Sequence, residues 1–232
     1  MLNLWNKKFK YHHLTRGKDS SGSRFYSLDG KKVPSVTTIL DKTKSQREID
    51  ALNDWKTRVG LKEANRISKE SMTRGDKMHK YLEDALHGKQ SLDFDIMTDT
   101  EKEMSETVIA EGLNNNLTEI WGCEVPLYYP ESHAGTSDLC GIYDSQESII
   151  DFKTSTRIKK REWITDYFIQ TAAYALAHNY QHGTNITQGV ILMCTPDLKF
   201  EKFIVKDNEF TWYQKKFIDR LNSYNTKYNS YV

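Results

Sequence analysis

Apolar positions change their spacing partway along the chain. From about residue 117 onward, short runs rich in β-branched and aromatic residues, at about 119–129, 135–143, 147–153, 186–194 and 200–206, have the length and bounding turns of strands. Between them a stretch near 160–181 carries closely spaced small apolar residues and reads as a helix, and 211 to about 228 reads as a closing helix. Upstream, helical spacing prevails. Ser45 and Glu48 form a capping box, behind which Ile49, Leu52, Trp55, Val59 and Leu61 recur at roughly helical intervals. Two more helical stretches follow, at about 70–87 and 98–116. Residues 33–40 read as an extended entry into a short helix, with Ser35 placed to cap it after Pro34. In 8–30, aromatic and His runs broken by Gly17, Ser20 to Ser23 and Gly30 suggest a short hairpin. The order predicts an α/β fold: a helical N-terminal half, then a meander, a helix and two more strands.

At 232 residues the chain can bury a full core, and one domain is expected, with about 33–116 as a helical elaboration and about 117–232 as the sheet-containing core. Its 33 basic and 32 acidic residues nearly cancel, so any basic surface must be local. Cys123, Cys140 and Cys194 are far apart and form no C-x-x-C, which argues against a zinc knuckle, a disulfide framework or an iron–sulfur cluster and for a reducing, intracellular setting. The N-terminus lacks the apolar stretch of a signal peptide, and no segment approaches the length that crosses a bilayer, so a protein without membrane attachment is expected.

The chemistry concentrates in the meander. A tight turn centred between Asp144 and Ser145 folds 137–143 back on 146–152 and sets Asp138 opposite Asp151, with both side chains on one face. Lys153 then points the same way as Asp151, while Ile150 and Phe152 point into the other layer. Two carboxylates so close repel unless a cation lies between them, and hard oxygen ligands suit Mg²⁺ or Mn²⁺. A surface hairpin with an ordinary Asp/Lys pair is the other reading of D-x-K alone. On the third helix, His79 and Glu83 share a face one turn apart: the imidazole can join a carboxylate metal site, with Glu83 as its outer partner or orienting a water, or both can lie on a solvated face above a stripe of Met78, Tyr81, Leu82 and Leu86. Gln170 and Tyr174, also one turn apart, can face a nucleic-acid groove or can be a partly exposed amide beside a core phenol.

His79, Gly135-x-x-Asp138, Asp151-x-Lys153 and Gln170-x-x-x-Tyr174 occur together and in this order. That ordered set resembles the RecB-like branch of the PD-(D/E)XK nucleases. Upstream, Val33-Pro34-Ser35-Val36-Thr37, Asp54-Trp55-Lys56 and Arg74-Gly75 look like the family of the mitochondrial genome maintenance exonuclease and its phage-type relatives. The resemblance implies a restriction-endonuclease-like core, a mixed central sheet flanked by helices, with a helical N-terminal elaboration. It further implies a divalent metal, Mg²⁺ or Mn²⁺, held by His79, Asp138, Asp151 and the carbonyl of Phe152, with Lys153 positioning or activating water. Gln170 and Tyr174, together with Arg74, Ser35, Trp55 and Lys56, would contact nucleic acid, although Trp55 also reads as a core residue, and the helices around it could arch over a single strand. Arg157, Lys159, Lys160 and Arg161 can contact phosphates or form a solvated loop. The implied activity is metal-dependent exonucleolytic cleavage of single-stranded or flap DNA from a free end, in the cytoplasm of a phage-infected cell or an organelle matrix. A structure-specific endonuclease and a catalytically silent DNA-binding module are the alternatives. The chain lacks the cysteine cluster of the iron–sulfur exonucleases of CRISPR adaptation and any helicase motif, so an unwinding or replication partner would be a separate protein.

Overall fold

The computed structural model describes residues 4–89 and 98–228; residues 1–3, the first of the stretch read for a signal peptide, lie outside it. The hairpin expected in 8–30 forms as β1 (Thr15–Lys18) and β2 (Arg24–Leu28), and an additional strand, β3 (Lys31–Pro34), extends it to a three-stranded antiparallel sheet. The third strand arises because Asp29 and Gly30 both adopt positive φ, 51° and 81°, and turn the chain straight back on itself, so residues 31–34 pair with 25–28 instead of only leading into a helix. Helix α1 (Val36–Lys42) then starts where expected, with the Ser35 hydroxyl accepting from Thr38 N–H.

Helix α2 (Gln46–Val59) carries the expected capping box, Ser45 with Glu48, but not the expected burial. None of its residues is buried, and Ile49 and Leu52 are 39% and 40% exposed. The apolar stripe is present in the sequence, yet the helix has α3 as its main neighbour and lies away from the sheet. Gly60, at φ 85°, ends α2 and begins α3 (Leu61–Leu86), which starts well before the expected 70–87 and takes in the exposed Leu61. Helix α4 (Asp99–Thr107) continues into a wider π-type turn at Val108–Leu113.

Five strands follow near their expected places: β4 (Leu117–Tyr129), β5 (His133–Tyr143), β6 (Gln146–Thr154), β7 (Gln188–Cys194) and β8 (Phe200–Lys206). They form one mixed sheet in chain order, antiparallel except for the parallel pair β6 and β7. Helix α5 (Thr165–His182) makes that parallel crossover, and α6 (Asp207–Tyr228) closes the chain.

Helices cover both faces of the sheet. Alternation along β6 sends Ile149 to the side of α5 and α6, where it meets Phe168, Ala172, Phe210 and Phe217, and sends Ile150 and Phe152 to the side of α3 and α4, where they meet Met78, Leu82 and Met104. Ala172, Ala173, Ala175 and Ala177 are fully buried, so α5 lies close on the sheet. This is the mixed sheet flanked by helices that the resemblance implies. No helix among the described residues is long and apolar enough to cross a membrane.

Candidate active site

The turn between β5 and β6 is as tight as its sequence suggests: Asp144 and Ser145 adopt φ 47° and 62°, and Tyr143 pairs with Gln146. That register runs to Leu139 opposite Ile150, so Asp138 and Asp151 come next across the hairpin. There the ladder changes character. Asp138 Oδ2, in place of a backbone carbonyl, accepts the Phe152 N–H at 2.8 Å. Asp151 is 1% exposed; its Oδ2 lies 2.5 Å from Lys153 Nζ, and its Oδ1 has no hydrogen-bond partner.

From the other face, α3 brings His79 to the same strand ends. Its Nε2 lies 3.0 Å from the Phe152 carbonyl oxygen, and its Nδ1 is 3.6 Å from both Asp138 Oδ2 and Glu124 Oε1. With an Nε2–H donating to that carbonyl, Nδ1 is the nitrogen turned to the acids. Among the described residues, His79, Glu124 and Asp138 are a group whose potential ligand atoms all lie within 4.8 Å of one another. The Phe152 carbonyl, expected as a ligand, is engaged with His79.

The electrostatics follow from this crowding. Burial disfavours the His79 imidazolium, but Asp138 and Glu124 outweigh it and hold the pKa at about 9. Burial pushes Asp151 up to about 6, with Lys153 pulling down and Asp138 pushing up. Burial also works against the Lys153 ammonium, and Asp151 and Asp138 reverse that, so its pKa is raised. Carboxylates held together, an imidazole nitrogen facing them and a buried carboxylate oxygen without a donor make up a donor set suited to a hard divalent cation.

These groups open onto a pocket of about 610 Å³. Gln170 and Tyr174 line it from α5, and the Gln170 amide donates to the Tyr174 hydroxyl at 3.3 Å. Gly135 couples the two motifs sterically: a Cβ there would stand 2.4 Å from the Tyr174 ring. Ser35 lines the pocket as well as capping α1, and Glu83 lines it while pairing with Lys80 at 3.4 Å. Glu124, rather than Glu83, joins Asp138 beside the His79 ring.

Three expected contacts are not brought to this pocket. Arg74 lies on another side of α3, where it lines a separate groove with Arg66 and Lys69 of the same helix and Glu101 of α4. Trp55 and Lys56 are half-buried on α2 and do not line it, so Trp55 is neither core nor part of this site. In the segment after β6, Arg161 is occupied holding the Ile204 carbonyl at 2.9 Å and Glu209 at 2.8 Å, and Lys159 donates to the Tyr167 hydroxyl.

Sequence reasoning missed Glu124 and two pocket arginines, Arg16 and Arg24. Glu124 was within reach of counting: pairing through the Pro130-Glu131-Ser132 turn runs from Tyr129 opposite His133 to Val125 opposite Ser137, and the next step faces Glu124 with Asp138. The arginines carry no motif, and only the three-stranded sheet brings them over the site.

No known protein-family profile matches the chain. It is similar to the mitochondrial genome maintenance exonuclease 1 of Xenopus tropicalis, 28% identical over 182 residues, 71% of this chain and 49% of that protein. It is also similar to the human protein of the same name, 25% identical over 218 residues, 86% of this chain and 60% of that one. The resemblance seen in the motifs thus extends over most of the chain, which spans about half to three fifths of the length of these relatives. Among solved structures, a putative exonuclease from Eubacterium rectale aligns at 16% identity and a TM-score of 0.41, covering 66% of this chain and 68% of that one.

Proposed function

We propose that the chain is a divalent-metal-dependent deoxyribonuclease that cleaves single-stranded or flap DNA from a free end. The observation that carries this reading is the meeting of Asp138, Asp151 and Lys153 with His79 at one set of strand ends, opening onto a pocket. The names of the two vertebrate relatives, mitochondrial genome maintenance exonuclease, support both the exonuclease reading and a context of organellar DNA processing.

Asp138, Asp151 and His79 would hold the cation, with Mg²⁺ and Mn²⁺ the ions their oxygen-rich set suits. A cation so held polarises the scissile phosphate and lowers the pKa of the attacking water. Lys153, kept protonated by Asp151 and Asp138, offers a fixed positive charge to the phosphate as negative charge builds on it. Gln170, Tyr174 and the Ser35 hydroxyl offer polar contacts for the strand, and Arg16, Arg24 and Lys80 meet its phosphates from the side of the small sheet and α3.

Labelled single-stranded DNA, linear beside closed circular, incubated with the protein and Mg²⁺ or Mn²⁺, tests the reading. Loss of the linear strand alone supports an end-dependent enzyme, and cutting of the circle replaces it with an endonuclease. Strand binding with no cleavage under either ion would mean a silent binding module.

A further inference from the structure

Besides two register shifts nearer its start, between Leu117 and Glu119 and between Ile120 and Gly122, strand β4 carries one residue in left-handed backbone. Glu124 stands at φ 51°, left-handed backbone inside a strand of 13 residues, between the regular pairs Cys123 with Leu139 and Val125 with Ser137. That conformation is costly for a side chain other than glycine, and such strain persists where the surroundings enforce it. The break carries the Glu124 carboxylate into the pocket, Oε1 at 3.6 Å from His79 Nδ1, beside Asp138. Two unfavourable features therefore coincide: a strained backbone and like charges drawn together.

A second observation at the same centre points to a missing cation. Asp151, almost wholly buried and within electrostatic reach of both His79 and Asp138, has a carboxylate oxygen that no group in the protein contacts by a hydrogen bond. Lys153 meets only the other oxygen. Buried carboxylate oxygens are normally satisfied, and an orphan among other acids marks a place for a positive ligand.

We infer that Glu124 is a further carboxylate ligand of the divalent cation, next to His79 and Asp138, and that the left-handed break in β4 serves to deliver it. This rests on the metal-dependent reading above. It adds a ligand that D-x-K and its companion motifs do not contain, drawn from a different strand. The competing role is local: Glu124 as no more than an ion-pair partner of the His79 ring. The two roles differ in what the cation gains. In the metal-free protein either role sets the carboxylate against the His79 ring; a ligand strengthens cation binding, whereas a mere ion-pair partner does not.

The experiment is Mn²⁺ titration by calorimetry, with thermal melts with and without Mn²⁺, on the full chain as wild type, Glu124→Gln and Glu124→Asp. In the wild type, Mn²⁺ at a hundredfold excess over its Kd should raise Tm by roughly 5–10 °C. The inference expects Glu124→Gln to weaken Mn²⁺ binding at least tenfold and to shrink the rise in Tm that Mn²⁺ gives. Glu124→Asp keeps the charge, tolerates the backbone and shortens the reach, and guards against misfolding of the first variant; it too should bind more weakly. A loss of affinity smaller than tenfold in Glu124→Gln overturns the inference and leaves the nuclease reading standing. A wild type that binds no Mn²⁺ overturns the metal-dependent reading itself, and the inference with it.

Discussion

Asp138 Oδ2 accepts the backbone N–H of Phe152 at 2.8 Å, so one carboxylate both serves the site and replaces a ladder bond between β5 and β6. The two roles separate by substitution. Asp138→Asn can keep an oxygen on that N–H while losing the charge, so cleavage should be abolished with stability changed by no more than about 1 kcal/mol. Asp138→Ala leaves a buried N–H unpaired and should be less stable than the Asn variant by about 1–3 kcal/mol in urea unfolding. Equal stability of the two variants would remove the structural role.

Gly135 and Tyr174 make the second prediction. With no room for a Cβ beneath the ring, Gly135→Ala must push Tyr174 aside. Overpacking of this kind costs about 1–3 kcal/mol. Affinity for a labelled single strand should fall several-fold, and Tyr174→Ala should reproduce most of that loss. Fluorescence anisotropy, with Ca²⁺ in place of Mg²⁺, measures it without turnover.

How much of this was legible beforehand follows from where each signal lies. The five strands, the order of elements and the facing of Asp138 and Asp151 follow from period-two alternation and one tight turn, both local features. Tertiary context decided the rest. Nothing in the spacing of Ile49 and Leu52 reveals that α2 has no sheet to cover, because periodicity names a face and not its partner. Counting the β4–β5 register reaches Glu124 opposite Asp138, but not its left-handed backbone, which no strand propensity favours. Arg74 sits beside Gly75 in sequence, but one helical position turns it about 100° away from the pocket that Gly75 and His79 line.

The basic residues divide the same way. Arg16→Gln and Arg24→Gln should each weaken single-strand binding and lower the slope of log affinity against log salt by about 0.7 for each phosphate no longer neutralised. Lys56→Gln and Arg74→Gln, outside the pocket, should leave the slope unchanged. The reverse pattern in salt titrations would move the strand's path onto α2.

His133 gives stability a pH dependence remote from the chemistry. The ring is 1% exposed, with its two nitrogens against Ser132 Oγ and the Ala173 carbonyl, and burial depresses its pKa to about 4. The unfolded chain protonates near 6.5, so between these values it binds the extra proton. The contribution of neutral His133 is therefore present above about pH 6.5 and lost as pH falls toward 4. Asp151, raised to about 6, acts in the opposite direction over part of this window, so the comparison must be with His133→Gln, which keeps a donor toward the Ala173 carbonyl. The stability advantage of the wild type over that variant should shrink by about 2 kcal/mol between pH 7 and pH 5 in urea unfolding. An advantage that does not change with pH would mean the ring is not held neutral.

The central claim is that Lys153, paired with the buried Asp151, stabilises charge during phosphodiester cleavage at this site. Single-turnover cleavage of a 5′-labelled strand in Mg²⁺, wild type against Lys153→Met, tests it most directly. The account predicts a rate at least a hundredfold lower in the variant, with strand affinity in Ca²⁺ within a few-fold of wild type. A variant that cleaves at a rate close to wild type would contradict it.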